Sequence, residues 1–362
     1  MISQNTEAGR TMSKSHSSFR KIVVSSLIFL IITGFLLDIM LGSVSIPFRE
    51  VVRILFEQTS EQTAWLYIVQ KIRIPKAITA VLVGCGLSVS GLQMQTLFRN
   101  PLAGPSELGI TAGAALGVAV VMLSNGHITS MPAIRQLGIS GSWLIVVAAS
   151  MGSALVLFLV VLIAGRIRDN VVLLIVGVMI GTITLSVISI WQYFSQPEQL
   201  QEYILWTFGS LGGVTDYHLY VLAATVIVGL VLAFASSKAL NVLLLGENYA
   251  RSMGLTVGWA RAIILASTSL LTGSITAFCG PIGFIGIAVP QLTRSLFNTS
   301  NHRVLIPCTC LIGTLLMLAC DLIAHMPGSQ TVLPINIVTS LLGAPVVIWI
   351  IVTRSNLRAS FV

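Results

Sequence analysis

The sequence predicts an all-α, polytopic membrane protein of about ten transmembrane helices. Only 9% of its 362 residues are charged, against about 25% in a soluble domain. Hydrophobic residues make up 55%, mean hydropathy is +0.93, and the apolar residues fall in long runs, where a helix needs roughly 20 of them to cross a bilayer. An unpaired backbone amide is costly in hydrocarbon, so only helices or a closed barrel can cross, and these runs are too continuous for barrel strands.

Residues 1–21 are polar and read as a cytoplasmic tail, because the apolar stretch behind them is longer than a signal-peptide core and lacks its small-residue exit. The runs that can cross are then 22–41, 75–95, 109–124, 142–165, 171–194, 218–237, 259–279, 282–297, 305–324 and 334–353, so that 22–353 forms one membrane domain and 354–362 a second cytoplasmic tail. With both termini inside, Arg10, Lys14, Arg20, Lys21, Arg99, Arg166, Arg168, Lys238, Arg251, Arg261, Arg294, Arg303, Arg354 and Arg358 gather on the inner ends. Only Arg49, Arg53, Lys71, Arg73, Lys76 and Arg135 are left outside, which obeys the positive-inside tendency. Gly84, Ser88 and Gly91, then Gly109, Gly113 and Gly117, then Gly177 and Gly181 give helices small faces that let backbones approach closely.

The net charge of +8 belongs to these helix ends, and nucleic acid is not an expected partner. No G-x-x-x-x-G-K-[ST] loop surrounds any lysine, so the chain cannot cradle ATP in the Walker manner and ATP-driven work needs a partner. HExxH, GxSxG and paired-carboxylate patterns are missing, and the five cysteines lack zinc or disulfide spacing. No enzyme activity, metal or bound cofactor is expected. Ion-coupled carriers keep ionisable groups deep in the bundle, whereas Asp38 and Asp321 lie near outer helix ends, within expected reach of headgroups or water.

Four polar or broken stretches remain. On the inner side, Gly246 ends a span, Glu247 suits the positive first turn of a short helix, Arg251 follows four residues later, and Gly254 can take a left-handed stop. Such a stub is either a solvated connector or a docking knob, with Gly246 and Ala250 allowing close backbone approach. The stretch 199–213, with Trp206, Gly209, Gly212 and Gly213, is too short to cross and reads as an interfacial or re-entrant helix, either a lid or a headgroup anchor. Pro281, Gly283 and Pro290 break one apolar run and Pro345 another, through kinks that either only pack or bend around a cavity. The outer cluster Arg49, Arg53, Lys71, Arg73 and Lys76 suits either lipid phosphates or an acidic partner.

In order and spacing, several motifs resemble the FecCD-type permease subunits of type II binding-protein-dependent ABC importers, which move iron-siderophores, haem and vitamin B12. They are Arg73-Ile74-Pro75-Lys76, Gly91-Leu92-Gln93-Met94-Gln95 with Arg99-Asn100-Pro101-Leu102-Ala103, Leu245-Gly246-Glu247 with Ala250-Arg251 and Gly254, Gly283-Phe284-Ile285-Gly286 with Pro290, His302-Arg303 with Pro307, Asp321, and Leu333-Pro334 with Gly343-Ala344-Pro345. The resemblance implies a dimer with a second copy or a close paralogue in a bacterial inner membrane. It also implies two cytoplasmic ATPases that hold ATP and magnesium, and a periplasmic or lipid-anchored substrate-binding protein. It makes 247–254 the coupling helix, 199–213 the gating helix, and Arg73, Lys76 and His325 the outer docking contacts. Three positions depart from the family pattern: His325 where arginine is common, Gln291 where histidine is usual, and Asn301 where aspartate is common. The expected function is import of a ferric siderophore or haem, with vitamin B12 as the nearest competitor. A proton-coupled secondary carrier or a membrane scaffold is the alternative of another class.

Overall fold

The computed structural model describes residues 2–42, 44, 46–60, 62–124, 142–167, 169–214, 217–325 and 332–353, with side chains described over 20–349 and at 352. Arg135, Arg168 and the C-terminal tail 354–362 lie outside the described residues. Among the described residues every regular element is helical.

Helix α1 spans Ile2–Met40, so the polar stretch expected as a tail continues the first membrane helix, whose apolar part is Arg20–Met40. The outer connection folds into α2 (Phe48–Glu57) and α3 (Thr63–Tyr67). The apolar face of α2, Val51 and Ile54, packs with Ile39, Ile46, Val69 and Ala77 into a small outer core. A π-helical turn at Ile68–Arg73 joins α3 to α4 (Ile74–Leu97). It directly precedes Pro75, which lacks a backbone donor and whose ring would clash with the carbonyl four residues back, and the wider turn removes that conflict.

The remaining membrane elements are α5 (Ile110–Met122), α6 (Ser142–Ala164), α7 (Asn170–Phe194), α9 (Tyr217–Ala235), α12 (Val257–Cys279), α13 (Ile285–Phe297), α14 (His302–Ala324) and α15 (Ile335–Thr353). Three short helices lie at their ends: α8 (Pro197–Thr207), α10 (Ser237–Leu243) and α11 (Glu247–Ser252). Each of the ten expected spans coincides with a helix. Among the described residues, seven candidate spans are long and apolar enough to cross by themselves. Helices α5 and α13, at 13 residues each, rise only about 20 Å.

The centre of the bundle is α4. The segment Thr63–Leu97 is 78% buried, against 17% for α1 and 28% for α7, so α1 and α7 form the rim. The small faces are where helices cross. A Cβ on Gly84 would overlap the Gly313 backbone of α14, one on Gly91 the Gly286 carbonyl of α13, one on Gly113 the Gly152 carbonyl, and one on Gly117 the Ala148 carbonyl of α6. Lipid offers no hydrophobic drive between helices, so this close contact supplies the attraction. The Gly286 carbonyl is also the one that Pro290, four residues on, has no N–H to serve, and it is turned against Gly91 instead.

Candidate coupling knob, lid and buried charge clusters

At the inner end, Gly246 adopts φ +104° and Gly254 φ +82°, conformations closed to most L side chains. The Gly254 N–H donates to Arg251 O at 3.0 Å and Leu255 N–H to Ala250 O at 3.0 Å, so the six-residue α11 is cut off sharply at both ends. Its faces differ from the expected pattern. Ala250 is fully buried against its own bundle and is not presented to a partner. Glu247 is turned inward, with Oε1 2.6 Å from the Arg261 guanidinium and Oε2 3.6 Å from Arg251. The exposed face carries Tyr249, Arg251 and Met253, flanked by Leu245 and Trp259. Tyr249, Met253 and Trp259 carry no local signal in the sequence, because apolar residues are unremarkable in so apolar a chain.

At the opposite end, α8 lies across the break between α12 and α13. Ser210 N–H donates to Cys279 O at 2.8 Å, Asn336 N–H at the start of α15 donates to Phe208 O at 3.2 Å, and the Asn336 carboxamide oxygen accepts from Gly283 N–H at 3.0 Å. Gly209 (φ +73°) and Gly280 (φ +75°) interlock so tightly that a Cβ on Gly280 would strike Trp206 O at 2.6 Å. Trp206, Gly209, Pro281 and Gly283 therefore meet in one place. Gly212 and Gly213 are exposed beside it, Pro290 is buried further down α13, and Pro345 sits in an open groove of about 520 Å³ with Phe208, Asn336, Ser340, Leu341 and Ile348. Behind α8 is a cavity of about 190 Å³ lined by Trp206, Ser210, His218, Phe278 and Cys279. Burial pushes the Tyr203 phenol up to about 12, so on α8 it packs as a neutral group. Asn336 was missed in the sequence because nothing local marks a partner more than 50 residues away.

Four of the charges at the outer helix ends, Arg73, Lys76, Asp38 and Asp321, are buried. Arg73 is 4% and Lys76 5% exposed, so in the single chain both side chains are turned inward from the outer surface. Arg73 donates to the carbonyls of Ile39 at 2.9 Å and Met40 at 2.8 Å, and to that of Val44, closing the C-terminus of α1 as a cation should. Lys76 Nζ is 3.1 Å from Asp38 and 2.7 Å from Asp321. These two aspartates, expected to reach water, are each 1% exposed. His325 Nδ1 lies 3.1 Å from Asp321 and keeps 23% side-chain exposure. Of the three expected docking residues it is the most exposed.

A second polar network joins the inner ends of α4, α10, α13 and α14. Asn241 Oδ1 accepts from the His302 backbone at 2.8 Å and lies 2.7 Å from His302 Nδ1, so Nδ1 carries the proton and Nε2 is the acceptor facing Thr96 Oγ1 at 2.8 Å. Arg294 donates to the same Thr96 oxygen at 3.1 Å. Gln291 donates to Gln95 Oε1 at 2.9 Å and to Pro101 O at 3.1 Å, and Asn301 caps α14 by accepting from Arg303 N–H at 3.1 Å. The amides at these two departures from the family pattern thus have structural partners.

The chain matches the FecCD transport family over residues 29–353. It is 36% identical over 282 residues, 78% of this chain and 81% of the relative, to the vitamin B12 import system permease protein BtuC of Klebsiella pneumoniae. It is 33% identical over 320 residues, 88% of this chain and 92% of the relative, to the hemin transport system permease protein HmuU of Yersinia pestis. A solved structure described as an inward-facing conformation of a metal-chelate type ABC transporter superposes with a TM-score of 0.79 at 25% identity, covering 92% of this chain and 99% of the other. A ten-helix bundle with a knob at one end and a tied-down short helix at the other is thereby placed by sequence and shape together: this multi-pass membrane chain belongs to the FecCD transport family.

Proposed function

We propose that the chain is the permease of an ATP-driven importer that carries a ferric siderophore or haem across a bacterial inner membrane. It works as a pair with a second copy of itself, with two cytoplasmic ATPases that bind ATP and magnesium, and with a substrate-binding protein outside. The observation that supports this best is α11: an exposed face of Tyr249, Arg251 and Met253 on a stub whose inner face is pinned by Glu247 and Ala250. A connector needs no such rigid seat, whereas a surface that receives a push does. The relatives' names divide between haem and vitamin B12, so vitamin B12 is the competing cargo.

Proteoliposomes containing the chain, its ATPase and its binding protein should take up a ferric chelate or haem only when ATP is supplied. Accumulation of cobalamin instead would change the cargo and leave the mechanism in place. A proton-coupled carrier has one specific observation in its favour, the buried Asp38, Lys76 and Asp321 set, since intramembrane charges are often functional. Here the carboxylates face a lysine and the neighbouring Arg73 closes a helix end, an arrangement that holds helices together. Uptake driven by a pH gradient in vesicles without the ATPase would reverse this preference.

A further inference from the structure

The exposed half of the inner knob explains how a partner could grip it, but not where a push would go. The buried half bears on that. Arg261, 5% exposed and one turn into α12, directs one guanidinium at three other elements. Its Nη1 donates to Ala164 O at 3.3 Å and Ile167 O at 2.9 Å, at the end of α6. Its Nη2 donates to Glu247 Oε1 at 2.6 Å on α11 and to Asn170 Oδ1 at 2.7 Å, the first residue of α7. Asn170 in turn donates through Nδ2 to Leu97 O at 2.8 Å, the last residue of α4.

We infer that Arg261 is a positioning residue that clasps the knob to the start of α7, so that displacement of α11 is delivered to α7 and through it to the outer helix α8. Three features argue for this path. The guanidinium is a planar fork whose donors are fixed relative to one another, and its bonds to Glu247 and to the carbonyls are charge-assisted, so Glu247 cannot move without disturbing the Asn170 contact. Helix α7 is only 28% buried whereas α12 is 67% buried, so α7 is the looser of the two helices that meet at the clasp. Only Ser195 and Gln196 separate α7 from α8, so a rigid shift of α7 carries the lid with it.

The inference rests on the importer reading, and its test separates the two. In proteoliposomes of the whole assembly, cargo imported per ATP hydrolysed is compared for wild type, Arg261→Lys and Asn170→Leu, alongside the affinity of each permease for the ATPase. Lysine keeps the charge but cannot serve Glu247, the α6 carbonyls and Asn170 together. Leucine at 170 leaves the Glu247–Arg261 pair in place and removes both bonds of the Asn170 carboxamide, the one from Arg261 and the one to Leu97 O of α4. Each should lower cargo per ATP by about tenfold, the scale of one charge-assisted hydrogen bond, with ATPase affinity unchanged, and the double variant should be no worse than the poorer single one. If Arg261→Lys does not assemble, Asn170→Leu alone decides. Wild-type stoichiometry in Asn170→Leu, or ATPase affinity falling in step with uptake, would overturn the inference, because Arg261 would then only shape the knob. A wild-type assembly that imports nothing with ATP would instead defeat the importer reading itself.

Discussion

At the level of single residues, the decisive contrast is between charge that can be located along the chain and charge that can be located in space. The positions of Arg73, Lys76, Asp38 and Asp321 at outer helix ends are plain from the sequence. Their convergence is not, because it needs the rotation of α1, α4 and α14 about their axes, and in apolar helices no periodicity reports that rotation. The small faces were legible for the opposite reason: glycine is conspicuous wherever it repeats at helical spacing, and Gly84 and Gly91 sit at the crossings that this spacing implies. The relocation of Lys76 has a consequence. Removing one partner of a buried ion set strands the others, at a cost of roughly 3–5 kcal/mol. Lys76→Met should therefore lower the unfolding temperature of the detergent-solubilised protein markedly, and adding Asp38→Asn should restore part of the loss. A melting curve equal to wild type, with docking alone impaired, would return Lys76 to the outer surface.

Elements were legible wherever a long apolar run set them, and illegible wherever a contact did. The ten spans follow from hydropathy. The π-helical turn before Pro75, the backward extension of α1 and the helices α2 and α3 in the outer connection lack such a run, and α2 owes its place to two apolar residues meeting a separate small core. The short helix α8 is intermediate. Its length and terminal glycines mark a short helix, but the latch that holds it, Asn336, comes from the far end of the chain. Replacing Asn336 by leucine leaves the Gly283 N–H without its acceptor, which costs about 1–3 kcal/mol where the group is buried, while the backbone bond from residue 336 to Phe208 O survives. Asn336→Leu should thus weaken the closed lid without dismantling it. Vesicles holding this variant and the ATPase should leak preloaded cargo faster than wild type in the absence of nucleotide. Equal leak rates would show that the lid is held by packing around Gly209 and Gly280 alone.

Across the whole molecule, the two ends are built differently. The inner end is cross-braced by Arg261 and by the network of Thr96, Arg294, His302 and Asn241, whereas the outer end combines a buried ion set with the short helix α8, tied down by a few bonds to the backbone. A bundle of this kind can move as blocks, and an asymmetric surface decides what those blocks face. Helices α6 and α9 expose Phe158 and Val231, ordinary lipid-facing apolar side chains. The groove along α15 is different: it exposes Leu341 and Ile348 but also turns Asn336 and Ser340 into the same opening, with Phe208 of the lid region at its edge. The Ser340 hydroxyl donates to Asn336 O at 2.6 Å and the Asn336 oxygen accepts from Gly283 N–H, so neither group calls for a partner, but a concave, partly polar groove beside α8 suits the side chains of a second copy better than lipid tails. With the native cysteines replaced, Ser340→Cys should form an oxidant-dependent dimer in native membranes, whereas Val231→Cys should not. Cross-linking at Val231 and not at Ser340 would put the partner on α9 and move the passage away from the lid.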